Sequence, residues 1–221
     1  CLGRVTLANG QEVGPFITFE GGEGVGKSTQ CKMLAAAVQT AGFQCELTRE
    51  PGGSEGAEAI RNLLVTGETG RWDGLTEALL NYAARRDHLT RRIQPAMAEG
   101  KWVISDRFAD STMAYQGYGH ELDKETIRRL HRLVCGGFRP GLTIVLDLAS
   151  DRGIGRAIER EGGEDRYERM PLAFHERVRS GFLEIARREP DRCVVIDADR
   201  TVEAVHELVV GAVRERLGIT L

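Results

Sequence analysis

Residues 21–28 read GGEGVGKS, with four residues between Gly21 and Gly26 and with Lys27 and Ser28 following at once. Glycine tolerates positive φ and lets the main chain come close to a ligand. Successive backbone N–H groups in such a loop converge and make a cradle for an anion. A helix that starts there adds the partial positive charge of its N-terminus, about half an elementary charge. A lysine at this spacing reaches the β- and γ-phosphates of ATP, and a serine hydroxyl beside it is an oxygen ligand for Mg²⁺. Gly21, Gly22, Glu23, Gly24, Val25, Gly26, Lys27, Ser28 and Thr29 are therefore the expected ATP-binding residues, with Lys27 catalytic.

Such a loop needs a strand before it and a helix after it. Phe16, Ile17, Thr18 and Phe19 read as a short strand. Cys31, Leu34, Ala35 and Val38 fall at i, i+3, i+4 and i+7, an apolar helical stripe, and Gly42 is a natural stop. Further strands are expected at 43–48, 102–106, 142–147 and 192–197, after a first at 15–20. Each is apolar along most of its length, as strands covered on both faces are. Helical patterns lie between them, one from Asp123 to about Cys135 with Gly136 beyond, and a last one starting at Thr201. The expectation is an α/β fold: one doubly wound, five-stranded parallel sheet in a single domain over 15–221, preceded by a tail over 1–14. Ligands of such a sheet bind at the carboxyl ends of the strands. Two strands end in a carboxylate there, Asp106 and Asp147. Asp106, followed by Arg107, is the preferred partner of Ser28 in the Mg²⁺ shell. Asp147 competes with it, and also with Ser150 as the cap of the next helix.

Composition narrows the function class. The chain has 221 residues, 41% hydrophobic and 29% charged, within the ordinary range for a globular protein. A net charge of −3 gives no reason to expect a nucleic-acid partner. No run of 18 apolar residues is present, so no membrane span is expected. The opening CLGRVTLANG lacks the apolar core of a signal peptide. The five cysteines, Cys1, Cys31, Cys45, Cys135 and Cys193, are odd in number and contain no CxxC pair. They indicate neither a disulfide framework nor a zinc site, and a reducing cytoplasm fits them.

Three loops should open on the same edge of the sheet: TREPGG at 48–53, DRFADSTMAYQG at 106–117 and REGGEDRYE at 160–168. No NKxD element of the kind that reads guanine is present. With the phosphate loop, and with LAFHERVRSGFLEIA further on, these motifs resemble the bacterial type of thymidylate kinase, from about Phe16 to Asp197. The resemblance implies a five-stranded parallel sheet with a small lid over about 152–168. It also implies transfer of the γ-phosphoryl group of ATP to dTMP with Mg²⁺, in the cytoplasm, and commonly a homodimer. By the same resemblance, Glu23 lies near the sugar of dTMP and Glu50 near the acceptor. Arg61 and Arg107 hold the acceptor phosphate, Arg85 bonds the thymine ring, and Ser111 and Gln116 line the base pocket. Gly24 stands where the eukaryotic type has an arginine. Lid arginines at 156, 160 and 166 stand in for it, with Arg160 and Arg166 the candidates to contact the transferring phosphoryl group.

The residues taken alone agree in kind. Phosphoryl transfer rests on positioning and on cations, and arginine grips phosphate through two parallel bonds. A monoester phosphate is already an anionic nucleophile, so no general base is required. Arg86, Arg91, Arg92, Arg128, Arg129, Arg187 and Arg188 read as solvated surface charge. Arg85 is bracketed by Leu79, Tyr82 and Leu89, which points to a buried cation in need of a partner. Trp102 and Phe19 read as core. One departure stands out: the resemblance calls for a phenylalanine four residues before Arg85, and this chain has Asn81. Either Tyr82 or another ring covers the base, or base selectivity differs. A kinase with another acceptor, and a nucleotide-dependent switch ATPase, are the alternative readings.

Overall fold

The structure is a computed structural model and describes residues 5–6, 12–159 and 166–221. Five strands form one parallel sheet in the order β4-β5-β3-β6-β7: β3 Phe16–Glu20, β4 Cys45–Arg49, β5 Trp102–Asp106, β6 Leu142–Asp147 and β7 Cys193–Asp197. This is the expected doubly wound α/β sheet, displaced by one or two residues at three strand starts. Phe43 packs its ring 5.5 Å from that of Trp102, but the backbone pairing of β4 begins only with Cys45 opposite Trp102. Within the segment expected to be a tail, β1 Val5–Thr6 and β2 Glu12–Val13 form a two-residue antiparallel pair. Two-residue strands carry too little periodicity to be read from sequence.

Side-chain alternation along β3 divides the two layers. Ile17 and Phe19 face α1 Lys27–Thr40 and α9 Val202–Leu217, where Leu34, Val38, Val205 and Val209 close the larger core. Phe16 faces the opposite layer with Val103, Tyr82 and Ile93. That layer holds α2 Glu55–Val65, α3 Gly74–His88, α4 Gln94–Ala98, α5 Ala109–Thr112, α6 Lys124–Cys135 and α8 Leu172–Arg188. Each fully buried Leu, Ile or Phe contributes about 1.5–3 kcal/mol, and the sheet is lined by them on both faces. Thr18 and Thr143 bond to each other at 3.0 Å across β3 and β6, which satisfies two buried hydroxyls. Cys31, Cys135 and Cys193 are buried and Cys45 half-buried, all four as free thiols.

Two irregular helical stretches matter for the site. Pro95 at the start of α4 has no N–H to donate to the preceding turn, and α3 passes into α4 through a π-helical stretch, Leu89–Ile93. A second one, Met113–Gly119, continues α5 and carries Tyr115 and Gln116.

The phosphate loop is also wedged against α7 Ser150–Ile158. Gly24 has φ +65°, and a β-carbon on it would collide with the carbonyl oxygen of Gly153. One on Gly153 would collide with that of Glu23. An arginine in place of Gly24 is thus excluded by the packing. Gly153→Ala is expected to destabilise the fold by about 1–3 kcal/mol and to raise the KM for ATP, measured by urea unfolding and steady-state kinetics. Unchanged stability would contradict this contact.

Candidate active site

Three glycines of the phosphate loop take the positive φ that their residue type permits. Gly21, Gly24 and Gly26 have φ of 134°, 65° and 94°. Gly26 is the N-cap of α1, without a side-chain cap and without an acidic residue in the first turn. The N-terminal N–H groups of the helix are thus left to an outside anion. Lys27 is buried and donates to the carbonyls of Gly21 and Gly22 at 3.2 and 2.5 Å. Burial lowers its pKa to about 8, with Arg107 adding to the shift and Glu23, Asp106 and Glu20 opposing it. An arriving phosphate relieves that ammonium by supplying the missing negative charge.

Ser28 Oγ donates to Asp106 Oδ2 at 2.5 Å, so the two expected metal ligands meet. A hydroxyl and a carboxylate are hard oxygen donors. They suit Mg²⁺, which takes one or two protein ligands and keeps phosphate and water for the rest. Among the described residues no group of three or more His, Cys, Asp or Glu could hold a metal. Asp147 is occupied elsewhere: Arg179 grips it through two bonds of 2.7 and 2.9 Å. It neither faces Ser28 nor caps α7, whose N-cap is Ala149.

Arg107 joins this cradle to a second cleft. It follows the tip of β5 with φ 72°, in the left-handed region. One guanidinium nitrogen donates to Gly21 O and Ser111 Oγ at 2.9 and 3.2 Å. The other donates to Glu23 Oε1 and Tyr115 Oη at 2.9 and 3.0 Å. Burial pushes the Glu23 carboxyl up, but Arg107, Lys27 and the Tyr115 hydroxyl outweigh it and hold it at about 2. Glu23 is therefore ionised at neutral pH. Below this layer Glu20 accepts from Phe108 N at 2.8 Å and Ser111 Oγ at 2.6 Å. Burial, then the charge of Asp110, push its carboxyl up to about 7, against Ser111 and Arg107.

The second cleft is lined by Glu23, Glu50, Arg61, Asn81, Arg107, Ser111 and Gln116, all of them sequence candidates, together with Tyr115 and Tyr167. Arg85 lies beneath it, 2% exposed. Its Nε donates to Glu50 Oε2 at 2.7 Å, and one Nη donates to Phe108 O and Thr112 Oγ1. The other, Nη1, is buried with no hydrogen-bond partner among the described residues. Glu50 also accepts from His88 Nδ1 at 2.9 Å, so it buttresses the cleft floor. Arg61 donates to Pro51 O at 2.7 Å. Tyr82 is buried against Arg85, 4.7 Å from ring centroid to guanidinium, and does not line the cleft. Leu79, half exposed, is not part of the buried face on which Arg85 sits.

Arg166 is placed differently from the sequence expectation. Its guanidinium is 1% exposed and donates to the carbonyls of Leu64, Glu68 and Thr69 and to Glu77. These bonds tie it to α2, to the turn that follows α2 and to α3. Arg160 lies outside the described residues, as does the middle of the stretch expected to be a lid. α7 covers the first part of that stretch, and Arg156 is exposed on it.

Sequence reading missed Glu77 as the centre of this region. It is fully buried and accepts from Arg166, from Gln116 Nε2 at 2.8 Å and from Tyr167 Oη at 3.0 Å, with His120 Nε2 at 3.2 Å. The signal was present: Glu77, Asn81 and Arg85 are spaced by four, on one helical face. Glu20 was signalled only by a carboxylate closing an apolar strand.

Two adjoining sites that share Glu23 and Arg107 can hold a nucleoside triphosphate and a second phosphorylated molecule side by side, which is the arrangement of a P-loop nucleotide kinase. Comparison with known proteins narrows the class. The thymidylate kinase family profile matches residues 19–209. A thymidylate kinase of Caulobacter vibrioides is 56% identical over 206 residues, 93% of this chain and 99% of that protein. One of Bradyrhizobium sp. is 46% identical over 218 residues, 98% of this chain and 96% of that protein. The crystal structure of thymidylate kinase from Ehrlichia chaffeensis superposes with a TM-score of 0.72 at 37% identity, covering 89% of this chain and 97% of that one. The chain belongs to the thymidylate kinase family.

The raised Glu20 carboxyl sets a pH dependence. Between its ordinary value of 4.5 and about 7 the folded state binds more protons than the unfolded state, so stability falls as pH rises through that window. Urea unfolding at pH 5 and pH 8 is expected to show the wild type losing stability relative to Glu20→Gln. A relative gain would contradict the assignment.

Proposed function

We propose that the chain transfers the γ-phosphoryl group of ATP to dTMP, giving ADP and dTDP. The observation that carries this reading is the sharing of Arg107 and Glu23 by the phosphate loop and the acceptor cleft. ATP phosphates lie in the cradle of residues 21–29, with Lys27 turning from the loop carbonyls to the phosphate oxygens. Ser28 and Asp106 hold Mg²⁺, which neutralises phosphate charge when bound.

dTMP occupies the second cleft. Arg107 and Arg61 align its phosphate, and Glu23 and Tyr115 lie beside its sugar. Ser111, Gln116 and Asn81 surround its base, and the unpartnered Nη1 of Arg85 is a donor left for it. Glu50 holds Arg85 in place. Arg160 supplies the lid cation, because Arg166 is occupied in the fold. A planar guanidinium there stabilises charge on the transferring group and helps to exclude water.

The protein acts in the cytoplasm, as a homodimer, without a nucleic-acid or membrane partner. Among the described residues no helix is long and apolar enough to cross a membrane. Leu63, Leu75, Leu79 and Leu133 are exposed on the neighbouring helices α2, α3 and α6, Leu133 to 82%, and supply an apolar surface for a second copy.

A coupled ADP-release assay with Mg-ATP and a panel of dTMP, dUMP, dCMP, dGMP, AMP, UMP and thymidine tests the reading. Turnover is expected with dTMP, much weaker with dUMP and absent with thymidine. Lys27→Ala is expected to lower kcat by at least about a hundredfold. Turnover confined to another acceptor would move the substrate. Near-normal kcat in Lys27→Ala would remove the role of the cradle. Slow ATP hydrolysis without any acceptor dependence would favour a switch ATPase.

A further inference from the structure

The acceptor cleft is lined by charged and amide side chains and by Pro51 and Val65, and α3 contributes no aromatic ring to it. Asn81 on α3 offers none: its amide donates to Glu77 O at 2.9 Å and lines the wall as a polar group. Among the described residues two aromatic rings line the cleft, Tyr115 and Tyr167. Tyr115 is only 5% exposed, and its hydroxyl is bonded to Glu23 at 2.6 Å and to Arg107.

Tyr167 is half-buried and held on three sides. Its hydroxyl donates to Glu77 Oε2 at 3.0 Å. Its ring meets that of Tyr115 at 5.4 Å and 83°. The Arg166 guanidinium covers one face, 5.3 Å from the centroid. Burial, and then the charge of Glu77, push its phenol far above the ordinary range, so the hydroxyl stays a donor. A ring held by its hydroxyl, by a neighbouring ring and by a guanidinium has little freedom left to lose when a base meets it in the cleft.

We infer that Tyr167 is the aromatic platform for the acceptor's base, and that Glu77 and Arg166 are positioning residues that hold it. The inference rests on the proposed dTMP site and deepens it. The ring for the base comes from the segment before α8, while α3 supplies polar groups to its edge.

Kinetics with dTMP varied at saturating Mg-ATP test this. Tyr167→Leu is expected to raise the KM for dTMP about tenfold, the size of a lost aromatic stack, while kcat changes by less than about threefold and the KM for ATP stays constant. Tyr167→Phe keeps the ring but loses its bond to Glu77, and is expected to raise the KM for dTMP about threefold, less than Tyr167→Leu does. Asn81→Phe supplies a ring from α3, and in that background Tyr167→Leu is expected to cost less than about threefold. An unchanged KM in Tyr167→Leu would overturn the inference. So would an undiminished tenfold loss in the Asn81→Phe background, because a purely structural role for Tyr167 is not rescued there. Calorimetric titration of dTMP in the absence of ATP reads the same ratios without turnover. A wild type that binds dTMP through Tyr167 but does not phosphorylate it would defeat the functional reading alone.

Discussion

Arg107 is the residue on which the two halves of the site depend. The sheet delivers it to the tip of β5, beside the phosphate loop that follows β3. There its backbone turns left-handed, at φ 72°, a conformation that costs a non-glycine residue about 1–3 kcal/mol. Four acceptors offset that cost: Gly21 O, Ser111 Oγ, Glu23 Oε1 and Tyr115 Oη. One guanidinium therefore fixes both the phosphate loop and a wall of the second cleft. Because Glu23 is ionised, Arg107 is already charge-paired in the absence of ligand.

The floor beneath follows from the same need. Glu20, Glu50 and Glu77 are all buried: Glu50 lines the cleft itself, and Glu20 and Glu77 bond to Ser111 and Gln116 of its wall. Buried ion pairs add little net stability, yet breaking one by removing a partner costs about 3–5 kcal/mol. Their effect is to leave the cleft one arrangement. Glu50 fixes Arg85 and His88, Glu20 fixes Ser111 and Phe108 N, and Glu77 fixes Gln116, Tyr167 and Arg166.

Much of this was legible in the sequence. The spacing of Gly21, Gly26, Lys27 and Ser28 calls for one backbone shape, and near-continuous apolar runs mark the strands. Asp106 was readable because a strand tip beside the loop admits few roles. The rest was less readable because it depends on long-range contacts. Arg166 looks like a lid cation by local motif, and only the approach of Glu77, 89 positions away, shows it to be a buried anchor. Asp147 looks like a metal ligand until Arg179 is seen to hold it. Tyr82 was a candidate to cover the base, but the packing of α3 on α6 and Arg85 buries it.

The most direct test of the central claim is equilibrium binding of dTMP and of thymidine, without ATP, to the wild type and to Arg107→Ala. If Arg107 is the hinge between the two sites, the wild type prefers dTMP by about a hundredfold or more, as expected of a charge-assisted phosphate contact. The variant then loses most of that preference while binding thymidine almost as before. An undiminished preference in Arg107→Ala would contradict the account and shift acceptor recognition to Arg61 and the rest of the cleft.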